Sequence, residues 1–244
     1  TVLEISIRRL AKLAVEPELP MATLSDALRE LARSSGDTVA AIDGICSPPA
    51  PEADRLMPQV PVRLTYAELY EGADRLAAAL TQRLLFSASE DGVLEAASLR
   101  VVTIATWMRR GNAWYLVFHA AARLLVPVVA LSLDIPDKDV ERQRNGEILS
   151  AHKPRLVVVD HCNEVRSDDG DLASGACIAS TVQFANLWAE AWSPGIQPAP
   201  KGTASQESIL CFCYTGGTTK ASRCARITHA MALHELATYP SVVS

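Results

Sequence analysis

Four short runs of almost unbroken apolar residues recur along the chain: "LRVVTIAT" (Leu99 to Thr106), "PVVALSL" (Pro127 to Leu133), "PRLVVVD" (Pro154 to Asp160) and "SILCFCY" (Ser208 to Tyr214). Each is too short for a helix and too continuous for a strand with one wet face. Segments with helical periodicity stand between them. A strand that is apolar on both sides needs cover on both sides. Alternating such strands with helices builds a mostly parallel sheet. The expected fold class is therefore α/β, with mostly parallel sheet flanked by helices.

The helical segments carry their own signals. In "TLSDALRELARSSG", Leu24, Ala27, Leu28 and Leu31 recur at helical spacing, Thr23 or Ser25 can cap the start, and Gly36 ends it. "LTYAELYEGADRLAAALTQRLL" has the clearest apolar stripe: Tyr66, Leu69, Tyr70, Ala73, Leu76, Ala77 and Leu80. Thr65 with Glu68 three residues on forms a capping box. "DKDVERQRNGEILSAH" reads as a charged amphipathic helix, and "TVQFANLWAEAW" and "HAMALHELA" as two later helices. "TVAAID" reads as a short strand and "SPPAPEADRLMPQVP" as a proline-rich surface loop. Residues 1–20 read as an N-terminal arm or linker, ahead of a single unit over 21–244.

Composition narrows the function classes. The 244 residues are 49% apolar and 21% charged, as in an ordinary globular protein, and the net charge of -5 argues against a nucleic-acid partner. The six cysteines, at 46, 162, 177, 211, 213 and 224, contain no C-x-x-C pair. That spacing reads neither as a zinc site nor as a disulfide scaffold, and a cytoplasmic or other reducing compartment is expected. The stretch Ala113 to Leu133 is long enough for a membrane span, but His119 and Arg123 lie inside it and Pro127 breaks it, so no membrane span is expected.

The run "CFCYTGGTTKASRCARITH" (Cys211 to His229) is the chemical focus. An apolar strand stops at Gly216 and Gly217 and leads toward a helix. Glycines let the backbone approach a ligand closely and aim N–H groups at an anion. Hydroxyls of Thr215, Thr218 and Thr219 can bond phosphate oxygens. Lys220 and Arg223 supply charge, and Arg223 can grip phosphate bidentately. The run is not a Walker A loop, because its lysine follows threonine rather than glycine. Two readings fit the residues alone: an anion cradle, and a hairpin turn with solvated threonines.

"YTGGTTKASRCARITH" resembles the phosphate-binding signature of the adenylate-forming superfamily: acyl-CoA synthetases, peptide-synthetase adenylation domains and luciferases. That signature reads Tyr-Thr-Ser-Gly-Thr-Thr-Gly-x-Pro-Lys-Gly with a later His. Tyr214, Thr215, Gly217, Thr218, Thr219 and His229 match it. Upstream, "LTYAELYEGADRLAAAL", "VFHAAARLLVPVVALSLDIP" and "ILSAHKPRLVVVD" resemble further family segments, in family order. The resemblance covers roughly residues 20–240. It departs from the family at Gly216 (usually Ser), Lys220 (Gly), Ser222 (Pro), Arg223 (Lys) and Cys224 (Gly).

The resemblance implies the N-terminal subdomain of an adenylate-forming enzyme, ending after the phosphate-binding loop. It implies an AMP-forming acid–thiol ligase that uses ATP and Mg²⁺ to activate a small-molecule carboxylate. The acceptor would be CoA or the phosphopantetheine of a carrier protein, with further domains of the same polypeptide as partners. The ATP phosphates would lie on Thr215, Gly216, Gly217, Thr218, Thr219, Lys220 and Arg223, with His229 orienting substrate or phosphate. The later family motifs follow this point, so no catalytic residue is expected in the fragment and the fragment alone is expected to be inactive. The departures motivate a second reading, a non-catalytic adenylation-like domain serving as scaffold or protein-contact module.

Other residues read as structural. Cys211 and Cys213 share a strand face and are expected to be core cysteines. His234 is expected at the surface or in the core. "DDGD" (Asp168 to Asp171) is expected to be a solvated turn, because the rest of a calcium loop is missing. Trp107, Trp114, Tyr115 and Phe118 are expected in the core.

Overall fold

The computed structural model describes residues 22–43, 60–86, 102–160, 180–199, 205–215 and 223–243. The elements in chain order are α1 (Leu24–Ser35), β1 (Val39–Ile42), β2 (Arg63–Thr65), α2 (Tyr66–Phe86), β3 (Ile104–Trp107), α3 (Asn112–Leu124) and β4 (Val128–Ala130). There follow α4 (Lys138–His152), β5 (Leu156–Val159), β6 (Ser180–Gln183), α5 (Phe184–Ala191), β7 (Ile209–Tyr214), β8 (Cys224–Thr228) and α6 (His229–Val243).

Six strands form one sheet in the order β6-β5-β3-β4-β7-β8, and β1 and β2 form a separate antiparallel pair. Every neighbouring pair in the large sheet is parallel except β7 with β8. The mostly parallel sheet expected from the apolar runs is therefore present. Both faces are covered, as fully apolar strands require. On one face Ile104, Val128 and Leu156 pack with Leu76, Leu80, Leu116, Leu124 and Leu187 from α2, α3 and α5. On the other, Ala105, Val129, Val157 and Val159 pack with Ile148 and Leu149 of α4. Alternate residues of each strand serve opposite cores, which is the period-two geometry of a strand.

Local signals account for most boundaries. Thr23 caps α1, accepting from Asp26 N at 3.1 Å, and the Asp26 carboxylate accepts from Thr23 N, a complete box. The Thr65–Glu68 box at α2 is also formed, with bonds of 2.8 and 3.2 Å. Gly36 is right-handed helical, not left-handed. A Cβ there would lie 2.6 Å from Ala32 O and 3.3 Å from the Ala67 Cβ, so close packing, not backbone freedom, demands glycine. The apolar stretch Ala113 to Leu133 breaks at Leu125, whose left-handed φ of 59° ends α3 before β4 begins. Among the described residues no helix is long and apolar enough to cross a membrane.

Three expectations shift. The segment Thr181 to Trp192 does not begin as helix. Residues through Gln183 add β6 to the sheet edge, with Val182 buried, and α5 starts at Phe184. Tyr115 is not core: 43% of it is exposed, while Trp114 stacks on Phe118 at 5.0 Å. The loop after Tyr214 leads into another strand, β8, before the final helix. Cys46, Cys162, Cys177 and Asp168 to Asp171 lie outside the described residues, as do the arm 1–20 and most of the proline-rich loop.

The α4 helix is fixed to the exit of β4 by buried polar groups. Asn145 is buried, accepts from Ser132 N at 2.8 Å and donates to Ser132 O at 3.0 Å. Removing this amide leaves a backbone donor and an acceptor without partners. Asn145→Ala is expected to cost about 1–3 kcal/mol, read as a lower urea midpoint at unchanged slope. An unaltered midpoint would show that Ser132 finds water instead.

Candidate functional site

The phosphate-loop residues of the sequence hang from the β7–β8 hairpin, at the carboxyl end of the parallel strands. Tyr214 pairs with Cys224 in the ladder. Beyond it Thr215 N donates to Arg223 O at 3.0 Å, and the Thr215 hydroxyl approaches the same carbonyl at 3.4 Å. Thr215 and Arg223 thus stand at the two feet of the loop, both exposed. Gly216, Gly217, Thr218, Thr219 and Lys220 lie outside the described residues. The hairpin reading and the cradle reading are therefore not exclusive, because the two loop feet belong to a hairpin at the end of the sheet where open α/β folds bind ligands.

His229 is not brought to that loop. It opens α6 at the far end of β8, where Thr228 pairs with Ile209. Five strand residues separate it from the loop foot at Arg223, roughly 20 Å at the usual rise. Its ring is wholly buried, and Nδ1 accepts from Leu24 N at 3.1 Å. Nε2 has no partner among the described residues. Burial pushes its pKa down to about 4, against a smaller upward pull from Asp26. At this position the imidazole ties the start of α1 to the start of α6, at the opposite end of β8 from the loop feet. His234 is exposed.

The sequence reading did not identify two α4 residues that meet the loop feet. His152 Nε2 lies 2.7 Å from the Tyr214 hydroxyl and 3.9 Å from Cys224 Sγ, and its ring packs on Phe212 at 4.2 Å. Burial, with the nearby Arg226 charge, lowers the His152 pKa, so the ring is neutral near pH 7. Burial and then Cys224 push the Tyr214 phenol up to about 12. The pair is neutral and holds the tyrosine in place. Arg144 Nη2 lies 3.4 Å from Thr215 O. No local pattern announces either contact, since they join residues 71 and 62 positions apart.

The cysteines depart from the core expectation. Cys213 and Cys224 are exposed, and only Cys211 is half-buried. Cys211 and Cys213 do share a face, with sulfurs 3.8 Å apart, and burial followed by Cys213 pushes the Cys211 thiol up to about 12. The hairpin at the sheet edge leaves this end of β7 uncovered where a central strand would be enclosed.

A separate cavity of about 490 Å³ lies between α1, β1, α3 and α6. Its lining is mainly apolar, including Leu28, Leu31, Tyr66 and Leu236, with His119 the one ionisable ring apart from Tyr66 and Tyr115. It offers no cation to a phosphate. The charged chemistry sits at the hairpin. There the side chain of Arg223 has no carboxylate partner among the described residues, and neither has that of Arg144.

The sequence profile of the AMP-binding enzyme family matches residues 28–243. Among curated proteins none matches the chain. Similar solved structures include VinN, at 17% identity and TM-score 0.67, covering 91% of this chain and 47% of VinN. They include the Klebsiella oxytoca NpsA N-terminal subdomain, at 19% identity and TM-score 0.57, covering 86% of this chain and 43% of that one. The N-terminal domain of FACL13 from Mycobacterium tuberculosis is similar at 20% identity and TM-score 0.60, covering 86% and 45%. The chain thus spans less than half the length of these neighbours. At such identities the neighbours speak for the fold, that of the N-terminal subdomain of adenylate-forming enzymes. The profile spans nearly the whole chain, including both feet of the hairpin loop, and the chain therefore belongs to the AMP-binding, adenylate-forming enzyme family.

Proposed function

We propose that this chain forms the N-terminal part of an ATP-dependent carboxylate-activating enzyme. The observation that supports it is the loop of the family's phosphate signature, carried on a hairpin at the carboxyl end of a parallel sheet, with two arginines at its foot that no carboxylate neutralises among the described residues. In the reaction proposed, a carboxylate oxygen attacks the α-phosphorus of ATP, the bond to the bridging oxygen breaks, and pyrophosphate leaves with the electron pair. An acyl-adenylate results. The sulfur of CoA or of a carrier protein's phosphopantetheine would then attack the acyl carbonyl, and the acyl–phosphate bond would break with AMP leaving.

The part played by this chain's residues is to hold charge and exclude misplacement. Thr215, Gly216, Gly217, Thr218, Thr219, Lys220 and Arg223 would wrap the departing pyrophosphate, through backbone N–H groups, hydroxyls and two cations. Such preorganised donors stabilise charge as it develops and need no reorganisation. Mg²⁺ would arrive on the phosphate oxygens and offset their charge. Among the described residues no group of three His, Cys, Asp or Glu side chains stands together for a metal. The loop is joined to a rigid frame through the Thr215–Arg223 bond and the Tyr214–His152 bond, so its feet do not have to be ordered when nucleotide binds.

A second reading, a non-catalytic adenylation-like scaffold, is favoured by the substitutions at Gly216, Lys220, Ser222, Arg223 and Cys224. The test is calorimetric ATP titration together with ATP–pyrophosphate exchange by the complete polypeptide, across a panel of aromatic, aliphatic and amino acids. ATP binding with exchange that depends on one class of acid is the expected result. No ATP binding under any condition supports the scaffold.

A further inference from the structure

Arg144 is placed unlike Arg142, the other arginine of its helix. Acidic residues stand three positions before and after it, at Glu141 and Glu147, where a helical arginine ordinarily pairs. Neither takes it. Glu141 is buried and accepts from Lys138 Nζ at 2.8 Å and Ile135 N at 3.2 Å. Glu147 accepts from Gln143 Nε2 at 3.1 Å. By contrast, Arg142 is paired with Asp139 on the outer surface.

The Arg144 side chain crosses instead to the sheet. Nη2 reaches the Thr215 carbonyl at 3.4 Å, at the far end of the hydrogen-bond range. Nε is buried with no partner among the described residues. A half-buried cation without a counter-charge is costly, and an incoming anion relieves that cost. The helix cannot readily turn the group away, because the next residue, Asn145, is locked to Ser132 by two bonds. The guanidinium is thus held, with no carboxylate partner among the described residues, at the foot of a loop in which arginine stands where the family has lysine.

We propose that Arg144 is a phosphate-binding residue supplied from α4, outside the loop, which lends its charge and free N–H groups to the terminal phosphates of ATP and to pyrophosphate. The proposal rests on the reading of Thr215 to Arg223 as a phosphate loop. With Arg223 it gives the anion a cation on either side of the hairpin foot. A planar guanidinium suits this task, since it can keep one N–H on Thr215 and offer others to phosphate oxygens.

The experiment uses Arg144→Gln and Arg144→Lys in the complete polypeptide, with ATP, inorganic pyrophosphate and AMP titrated separately by calorimetry and thermal unfolding measured alongside. Arg144→Gln is expected to weaken ATP and pyrophosphate by about tenfold to thirtyfold, the loss of one charged hydrogen-bonding group. AMP affinity and melting temperature stay near the parent's, because AMP carries no terminal phosphates. Arg144→Lys recovers part of the loss, and added salt narrows the gap between Arg144→Gln and parent. Equal weakening of AMP, or a fall in melting temperature that accounts for the loss, would mark Arg144 as structural and overturn the proposal. A parent that binds ATP and pyrophosphate no better than Arg144→Gln overturns it too, while leaving the loop reading standing. A parent that binds neither ligand removes both.

Discussion

Thr218→Ala, Arg223→Ala and Lys220→Ala are expected to rank themselves in ATP–pyrophosphate exchange by the complete polypeptide. Thr218→Ala removes one hydroxyl from the phosphate set. Loss of a hydrogen bond to a charged group costs about 1.5–3 kcal/mol, roughly ten- to a hundredfold in rate or ATP affinity. Arg223→Ala should cost at least as much, because Arg223 stands where the family places its lysine and is exposed at the loop foot with its guanidinium free of any described carboxylate. Lys220→Ala should cost less, since the family fills that position with glycine. All three should leave the melting temperature nearly unchanged, because loop side chains carry little packing. Three variants that bind and turn over ATP like the parent would defeat the cradle reading.

Acid should unfold the chain through two histidines, the buried His229 and the partly buried His119. His119 and His229 are each held neutral by burial, with pKa values lowered to about 4. A proton gained at His229 Nδ1 would displace the bond that this atom accepts from Leu24 N, and His119 Nδ1 is buried with no acceptor for a proton among the described residues. The unfolded chain, with histidines near the ordinary value of about 6.5, binds those protons first as the pH falls. Stability is therefore intact above about pH 6.5 and is lost between there and about pH 4. Each histidine contributes about 1.4 kcal/mol per pH unit of that window. Together they draw on a total stability of order 5–15 kcal/mol, so the effect is large. His152 adds in the same direction. Urea midpoints at pH 7, 6 and 5 test this above the main carboxylate range. His229→Asn keeps an acceptor near the place of Nδ1 and should flatten the slope by one histidine's share, as should His119→Gln. A parent midpoint that stays level from pH 7 to pH 5 would rule out buried neutral rings.

The elements were largely legible because their causes are local. The Thr23 and Thr65 caps each satisfy a backbone donor three residues away, and the stripe from Tyr66 to Leu80 repeats on one side of a helix. The runs at β3 and β5 are apolar on both faces because helices cover both, while β7 is only partly covered. β6 was missed for the converse reason. At the sheet edge only Val182 needs burial, and the short segment before Phe184 blends into the helical pattern that follows. β8 was missed because its residues are exposed or half-buried, including Cys224, Ala225 and Arg226, and carry no alternating apolar signal.

Sequence alone determined the alternation of strand and helix, the family signature from Tyr214 to His229, and the residue types that can meet a phosphate. Each depends on neighbours a few positions away or on a contiguous motif. Tertiary structure alone decided which of those residues meet. It placed β7 beside β4, far apart along the chain, and that adjacency carries α4 over the hairpin foot. Arg144 and His152 reach Thr215 and Tyr214 for that reason, while His229, only six residues beyond Arg223, is carried away along β8. Nearness in sequence becomes distance along a rigid strand, and distance in sequence becomes contact wherever burial of apolar faces sets the strand order.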